Sequence, residues 1–168
     1  MAKKLLITGR PGVGKTTLIK KVAQMMRPFY LAGFYTEEIR EQGERVGFQL
    51  VSLDGQRRVM SHIDIHSPFR VGRYGVDVEG FERFLASLPF ATTSHVVIDE
   101  IGKMECLSKQ FQQLVTAMLD RNVTCIATIA QHGTGFIESI KQRMDVTLFA
   151  IDNGNRDSLA TVLLQAIQ

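Results

Sequence analysis

At 168 residues the chain is long enough to bury a proper hydrophobic core and fits the length of one domain, residues 1–168. A hydrophobic share of 45% with 22% charged residues is ordinary for a soluble globular protein, and no stretch approaches the roughly 18 apolar residues that a membrane helix needs. The net charge of +3 is mild, and no basic run or basic stripe interleaved with aromatics marks a nucleic-acid partner. The chain enters a strand almost at once, Lys4-Leu5-Leu6-Ile7-Thr8, so no signal peptide is expected and the cytoplasm is the expected compartment. Cys106 and Cys125 make no metal-type pair, and Cys125, inside an apolar run, reads as a packed thiol.

Directly after that strand comes Gly9-Arg10-Pro11-Gly12-Val13-Gly14-Lys15-Thr16, followed by Thr17. This is G-x-x-x-x-G-K-T, the pattern of a phosphate-binding loop. Gly12 and Gly14 let the backbone curl so that successive N–H groups face one concavity, and a helix N-terminus adds partial positive charge there. Lys15 can bridge the β- and γ-phosphates, and the Thr16 hydroxyl can hold Mg²⁺. The spacing of Leu18, Val22 and Met25/Met26 predicts a helix over Lys15–Met26, which supplies the strand–loop–helix context that the motif requires.

Arg27-Pro28 stops the helix, and the texture changes. Gly33–Arg40 and Arg45–Leu53 read as two strands joined at Glu41–Glu44, and Gln56–Ile63 as a third after the Asp54-Gly55 turn. The result is an antiparallel meander beside a parallel sheet, with Arg57-Arg58 as a solvated edge. Val71-Gly72-Arg73-Tyr74-Gly75-Val76 reads as one short extended piece, and Asp77 as the cap of a helix with Phe81, Phe84/Leu85 and Leu88 on its inner face.

His95-Val96-Val97-Ile98-Asp99-Glu100 is a continuous apolar run ending in two acids, as for a strand buried on both faces. After a phosphate-binding loop, Asp99 is the expected magnesium carboxylate, and Glu100 the group aimed near the γ-phosphate. Ser108 is placed to cap a helix carrying Phe111, Leu114/Val115 and Met118/Leu119. Val123–Ile129 is another buried strand, in which Thr128 is either a γ-phosphate sensor or structural. His132 is a lone histidine, Thr134 a possible cap for a helix reaching Arg143, and Asp145–Ile151 the last strand. Asn155 either caps the final helix or faces a base together with Arg156 and Asp157, and the cap is the preferred reading.

The alternation of strands and helices predicts an α/β P-loop domain: a mainly parallel sheet with helices on both faces, plus the antiparallel meander. Ligands in such sheets bind beyond the strands' carboxyl ends, where both the Gly9–Thr16 loop and Asp99-Glu100 fall.

Gly33-Phe34-Tyr35-Thr36-Glu37-Glu38-Ile39-Arg40, Val71-Gly72-Arg73-Tyr74-Gly75-Val76 and Val97-Ile98-Asp99-Glu100-Ile101-Gly102-Lys103-Met104-Glu105 narrow the superfamily further. With these motifs, nearly end to end and closing at Asn155-Arg156-Asp157, the chain resembles the small nucleoside-triphosphatases first described from thermophiles, which include the vertebrate cancer-related nucleoside-triphosphatase. The resemblance implies slow, Mg²⁺-dependent hydrolysis of ATP, GTP, CTP and UTP with little base preference. It implies a nucleotide site built from the Gly9–Thr16 loop and from Val96, Val97, Ile98, Asp99, Glu100, Ile101, Gly102 and Lys103. Arg10 departs from the proline or small residue common there, and Ala130 stands where related chains often carry histidine.

The expected chemistry places the β,γ-phosphates on Lys15, Thr16 and a Mg²⁺ supported by Asp99, while Glu100 orients or deprotonates the attacking water. A further cation on the γ-phosphate would come from Lys103 or Arg73. No N-K-x-D guanine reader is present. Two rival readings stand beside hydrolysis: a kinase acting on a small acceptor, and a nucleotide-dependent binding module using the Gly33–Ile63 meander, with no protein partner identified.

Overall fold

The computed structural model describes residues 1–133 and 135–168. The strand β7 (His95–Ile101) explains its own apolar sequence: Val96 and Ile98 enter one hydrophobic cluster and Val97 enters another across the sheet. β1 (Lys4–Thr8) does the same, with Leu5 and Ile7 on one face and Leu6 on the other. So does β8 (Thr124–Ile129), where Cys125 and Ala127 face one way and Ile126 the other. Side chains alternate across a strand, so a strand covered on both faces must be apolar throughout.

The covers are helices. α1 (Lys15–Met25) and α5 (Leu159–Ile167) lay Leu18, Ile19, Val22, Leu159 and Leu163 on one face. α2 (Val78–Ala86) and α3 (Lys109–Asp120) lay Phe81, Phe84, Phe111 and Val115 on the other. Phe34 is fully buried at the centre of that second layer, edge-on to Phe81 at 5.9 Å and Phe84 at 5.8 Å. The expected caps of these two helices are present: Asp77 Oδ1 accepts from Gly80 N at 2.9 Å, and Ser108 Oγ accepts from Phe111 N at 3.0 Å. Lys4, although charged, is buried because its ammonium donates to carbonyls at the end of α3, Met118 O at 2.9 Å and Arg121 O at 2.8 Å.

Among the described residues, nine strands form one mixed sheet in the order β5-β6-β4-β3-β2-β7-β8-β1-β9. β2 (Leu31–Glu41), β7, β8, β1 and β9 (Thr147–Ala150) run parallel. β3 (Glu44–Ser52), β4 (Arg57–His62), β5 (Arg70–Val71) and β6 (Tyr74–Val76) complete the expected meander with antiparallel pairings. The expected fold class is thus the observed one.

Several details differ from the sequence expectations. Val71–Val76 is not one extended piece. Gly72, at φ 55°, reverses the chain, so Arg70–Val71 pairs back onto Tyr74–Val76. α1 ends at Met25, one residue short of the expected bound, and of the Met25/Met26 pair it is Met26, at the C-cap, that is buried. α4 (Phe136–Lys141) stops short of Arg143, and the Thr134 cap lies outside the described residues. Asn155 does not cap α5, which starts at Leu159. Its side chain instead pins the preceding turn, donating to Ala150 O at 2.7 Å and accepting from Asp152 N at 2.8 Å.

Candidate functional site

β1, β7 and β8 are parallel neighbours, so the segments after their carboxyl ends crowd one edge of the sheet. From β1 the chain enters Gly9–Lys15, where Gly12 at φ 77° and Gly14 at φ 111° adopt the left-handed backbone that the curl demands. Val13 is buried and anchors the loop, whereas Arg10 and Pro11 are exposed. α1 has no side-chain cap and no acid in its first turn. Its leading N–H groups and the positive end of its dipole are thereby left to a ligand anion. Thr17 is exposed on that first turn.

Asp99 is where the motifs meet. Its carboxylate is only 2% exposed, and each oxygen is held. Thr16 Oγ1 donates to Oδ2 at 2.7 Å, and Thr128 Oγ1 donates to Oδ1 at 2.7 Å. Thr36 Oγ1, from β2, adds a longer bond to Oδ2 at 3.4 Å. Two neighbouring strands and the first helix thus fix the carboxylate that β7 carries. Burying it is tolerable because hydroxyl donors replace water. Thr128 donates its hydroxyl to Asp99 and so orients that carboxylate from behind.

Lys15 Nζ donates to Gly9 O at 2.7 Å and stands 3.8 Å from Glu100 Oε2. Burial pushes the Glu100 carboxyl above its ordinary range, Lys15 pulls it back, and Asp99 adds to the rise. Glu105 is a neighbour that the sequence does not single out. A Cβ built on Gly102 would lie 2.8 Å from Glu100 Oε1 and 3.0 Å from Glu105 Oε1, so both carboxyls crowd one bare glycine. Burial, reinforced by the negative charge of Glu100, raises the Glu105 carboxyl well above the ordinary value.

The other site candidates separate. Val96, Val97, Ile98 and Ile101 are buried in the two cores, and what their side chains supply is the strand that carries Asp99 and Glu100. Lys103 is exposed, directly after Gly102. Arg73 is not brought to the loop. Its guanidinium donates to the carbonyl of Arg45 and lies over the Tyr74 ring at 5.5 Å, at the meander edge. Arg156, by contrast, is brought in: its Cδ lies 3.9 Å from where a Gly14 Cβ would be.

Two cavities lie at this end of the sheet, one of them lined by the loop. One, of about 620 Å³, lies between Gly9, Arg10 and Val13 on one side and Ile151, Asp152 and Gly154 on the other, a space of nucleoside size. Asp152 Oδ1 in its wall accepts from Gly154 N at 2.7 Å and Asn155 N at 2.9 Å, so that oxygen is taken up by the turn. The second cavity, of about 740 Å³, opens beside Lys103 and is lined also by Arg70 and His132.

Comparison with known proteins shows the family. A family model described as NTPase matches residues 4–164. The nucleoside-triphosphatase THEP1 of Thermotoga sp. (strain RQ2) is 44% identical over 168 residues, 98% of this chain and 95% of that protein. The cancer-related nucleoside-triphosphatase of Homo sapiens is 36% identical over 188 residues, 100% of this chain and 98% of that protein. The crystal structure of THEP1 from Aquifex aeolicus superposes with a TM-score of 0.86 at 33% identity, covering 98% of this chain and 99% of that one.

Proposed function

The chain belongs to the NTPase family and is a nucleoside-triphosphate hydrolase, and we propose that it acts at the Gly9–Thr16 loop, with Mg²⁺, on all four common ribonucleoside triphosphates. The observation that carries this reading is the 2.7 Å bond from Thr16 to the buried Asp99, which joins the loop to the acidic end of β7.

The residues present fit a magnesium ion. A threonine hydroxyl and a carboxylate are hard oxygen donors, and Asp99 is oriented by Thr128 from behind. Among the described residues no three His, Cys, Asp or Glu side chains form a metal cage. That agrees with an ion held by one carboxylate, one hydroxyl and the substrate's own phosphates. Bound there, Mg²⁺ neutralises charge on the β- and γ-phosphates.

The chain's own groups do the rest. The N–H groups of the loop and of the first turn of α1 cradle the β-phosphate. Lys15 turns from Gly9 O to the bridging region of the β- and γ-phosphates. Glu100, held at the mouth by Lys15, orients the water and takes its proton. Lys103, exposed just beyond Gly102, is the candidate cation in cis for the γ-phosphate. A well-placed arginine finger is worth about 10³–10⁵ in rate, and with Arg73 engaged at the meander edge none is supplied from that position, which supports slow turnover. Broad base use is supported by the missing N-K-x-D reader and by Asp152 Oδ1 being committed to its own turn.

Steady-state hydrolysis of ATP, GTP, CTP and UTP, each with Mg²⁺ and with excess chelator, tests the reading. Comparable kcat/KM for the four and loss of turnover in chelator are expected. Exclusive use of one base, or undiminished activity in chelator, would overturn it.

A further inference from the structure

The cavity of about 740 Å³ has the size of a small-molecule site, and of its wall the hydrolytic reading draws on Lys103 alone. It begins at Lys103, one residue beyond Gly102, against which the Glu100 carboxyl lies. Glu100 therefore stands between the phosphate loop, which it meets at Lys15, and this cavity. The nucleoside-sized cavity lies on the other side of the loop, beyond Gly9 and Gln131. A triphosphate with its nucleoside there and its β-phosphate on the loop would extend toward Lys15 and Glu100, and Lys103 in the wall of the second cavity follows Glu100 by three residues.

The chemistry of the walls is selective. Arg70, from the meander, and Lys103 supply two permanent cations, His132 a third basic group, and no acidic residue lines the cavity among the described residues. Cys106, also in the wall, is a neutral thiol, since burial pushes it up to about 12. Val71, Leu107 and Phe136 make the apolar part. Cations beside an aromatic wall suit a phosphate ester that also carries a flat ring.

Resting on the phosphate-loop reading above, we propose that this cavity is an acceptor site, in which a nucleoside 5′-monophosphate-like molecule receives the γ-phosphoryl group in place of water. Its phosphate lies between Arg70 and Lys103, and its ring lies on Phe136. A phosphate oxygen of the acceptor forms a bond to the γ-phosphorus while the bond from the γ-phosphorus to the β,γ-bridging oxygen breaks. The electron pair of that bond leaves with the donor diphosphate. Triphosphate and monophosphate give two diphosphates, with no proton gained or lost and no redox partner. Hydrolysis is then the reaction of the same site when water occupies the acceptor's place.

The test incubates the full chain with γ-³²P-labelled ATP and, in separate arms, AMP, GMP, CMP, UMP, glucose 6-phosphate or inorganic phosphate, and resolves the labelled products by chromatography. The expected result is label in a nucleoside diphosphate, formed faster than labelled phosphate is released. Arg70→Ala should lower that transfer about tenfold or more through the lost charge-assisted contact, leaving acceptor-free hydrolysis within about twofold of the parent. Arg70 is exposed, and its guanidinium donates only within its own hairpin, to Arg73 O at 2.8 Å, so the variant should keep the fold. Phe136→Ala should raise the KM for the monophosphate without changing the KM for ATP. Label reaching no monophosphate while ATP is still hydrolysed would overturn the acceptor site and leave the hydrolytic reading standing. Equal labelling of glucose 6-phosphate, or transfer indifferent to both substitutions, would overturn it as well.

Discussion

Thr128→Val replaces a hydroxyl with a methyl of nearly the same volume in a side chain that is 0% exposed. What it removes is the 2.7 Å bond to Asp99 Oδ1. A hydrogen bond to a charged group is worth about 1.5–3 kcal/mol, and about 1.4 kcal/mol corresponds to a factor of ten in an equilibrium constant. Asp99 would keep Thr16 and Thr36 on Oδ2 but lose its only side-chain partner on Oδ1 among the described residues. If that bond orients the carboxylate for the metal, the Mg²⁺ concentration giving half-maximal hydrolysis should rise about 10-fold or more, within the 10–100-fold range of such supporting contacts. The apo protein should also lose about 1–3 kcal/mol, because a buried acceptor is left unpaired. The assay is hydrolysis at saturating ATP across a magnesium titration, with urea unfolding measured alongside. An unchanged magnesium midpoint together with unchanged stability would refute the reasoning.

Two other outcomes follow from the packing and the charges. Phe34→Ala empties the centre of the aromatic layer, where Phe34 meets Phe81, Phe84 and Phe111, and should cost about 3–5 kcal/mol in urea unfolding. A loss below about 1 kcal/mol would mean that the layer can collapse onto the gap. Asp145 sits below the usual carboxylate range because Arg143 binds it, with bonds of 2.8 and 2.6 Å. A carboxylate lowered by folding stabilises the protein above its unfolded pKa of about 3.9 and loses that contribution as pH falls through the folded value. Thermal midpoints taken from pH 7 downward should therefore converge for the parent and Asp145→Asn at acid pH. A constant gap across the range would contradict this assignment.

What the sequence made legible was local. The Lys4–Thr8 strand, the glycine loop and the apolar run ending in Asp99-Glu100 are each written in consecutive residues, and the structure places all three at one edge of the sheet. The hidden part was which hydroxyls hold Asp99 in place. Thr16 and Thr36 reach Asp99 across separations of 83 and 63 residues, and no spacing rule announces a threonine that will donate to a distant carboxylate. Thr128 was noticed, but its partner was not, because a hydroxyl near a strand end suits a phosphate as well as an acid. Arg73 looked like a free cation until folding brought Arg45, 28 residues away, under its guanidinium. Glu105 looked like an ordinary acid, since its burial depends on how the chain turns at Gly102 after β7. Asn155 carried a real capping signal, but the turn after β9 used that side chain before α5 began.

The central claim is that Glu100 activates water at a nucleotide held by the Gly9–Thr16 loop. It is tested most directly by Glu100→Gln, which keeps the side chain's size and removes its capacity to take a proton. Mg-ATP affinity by calorimetry should stay within about threefold, while single-turnover hydrolysis should fall by about 10²–10⁴, the usual worth of a positioned general base. Hydrolysis near the parent rate, with ATP bound as tightly as before, would contradict the account.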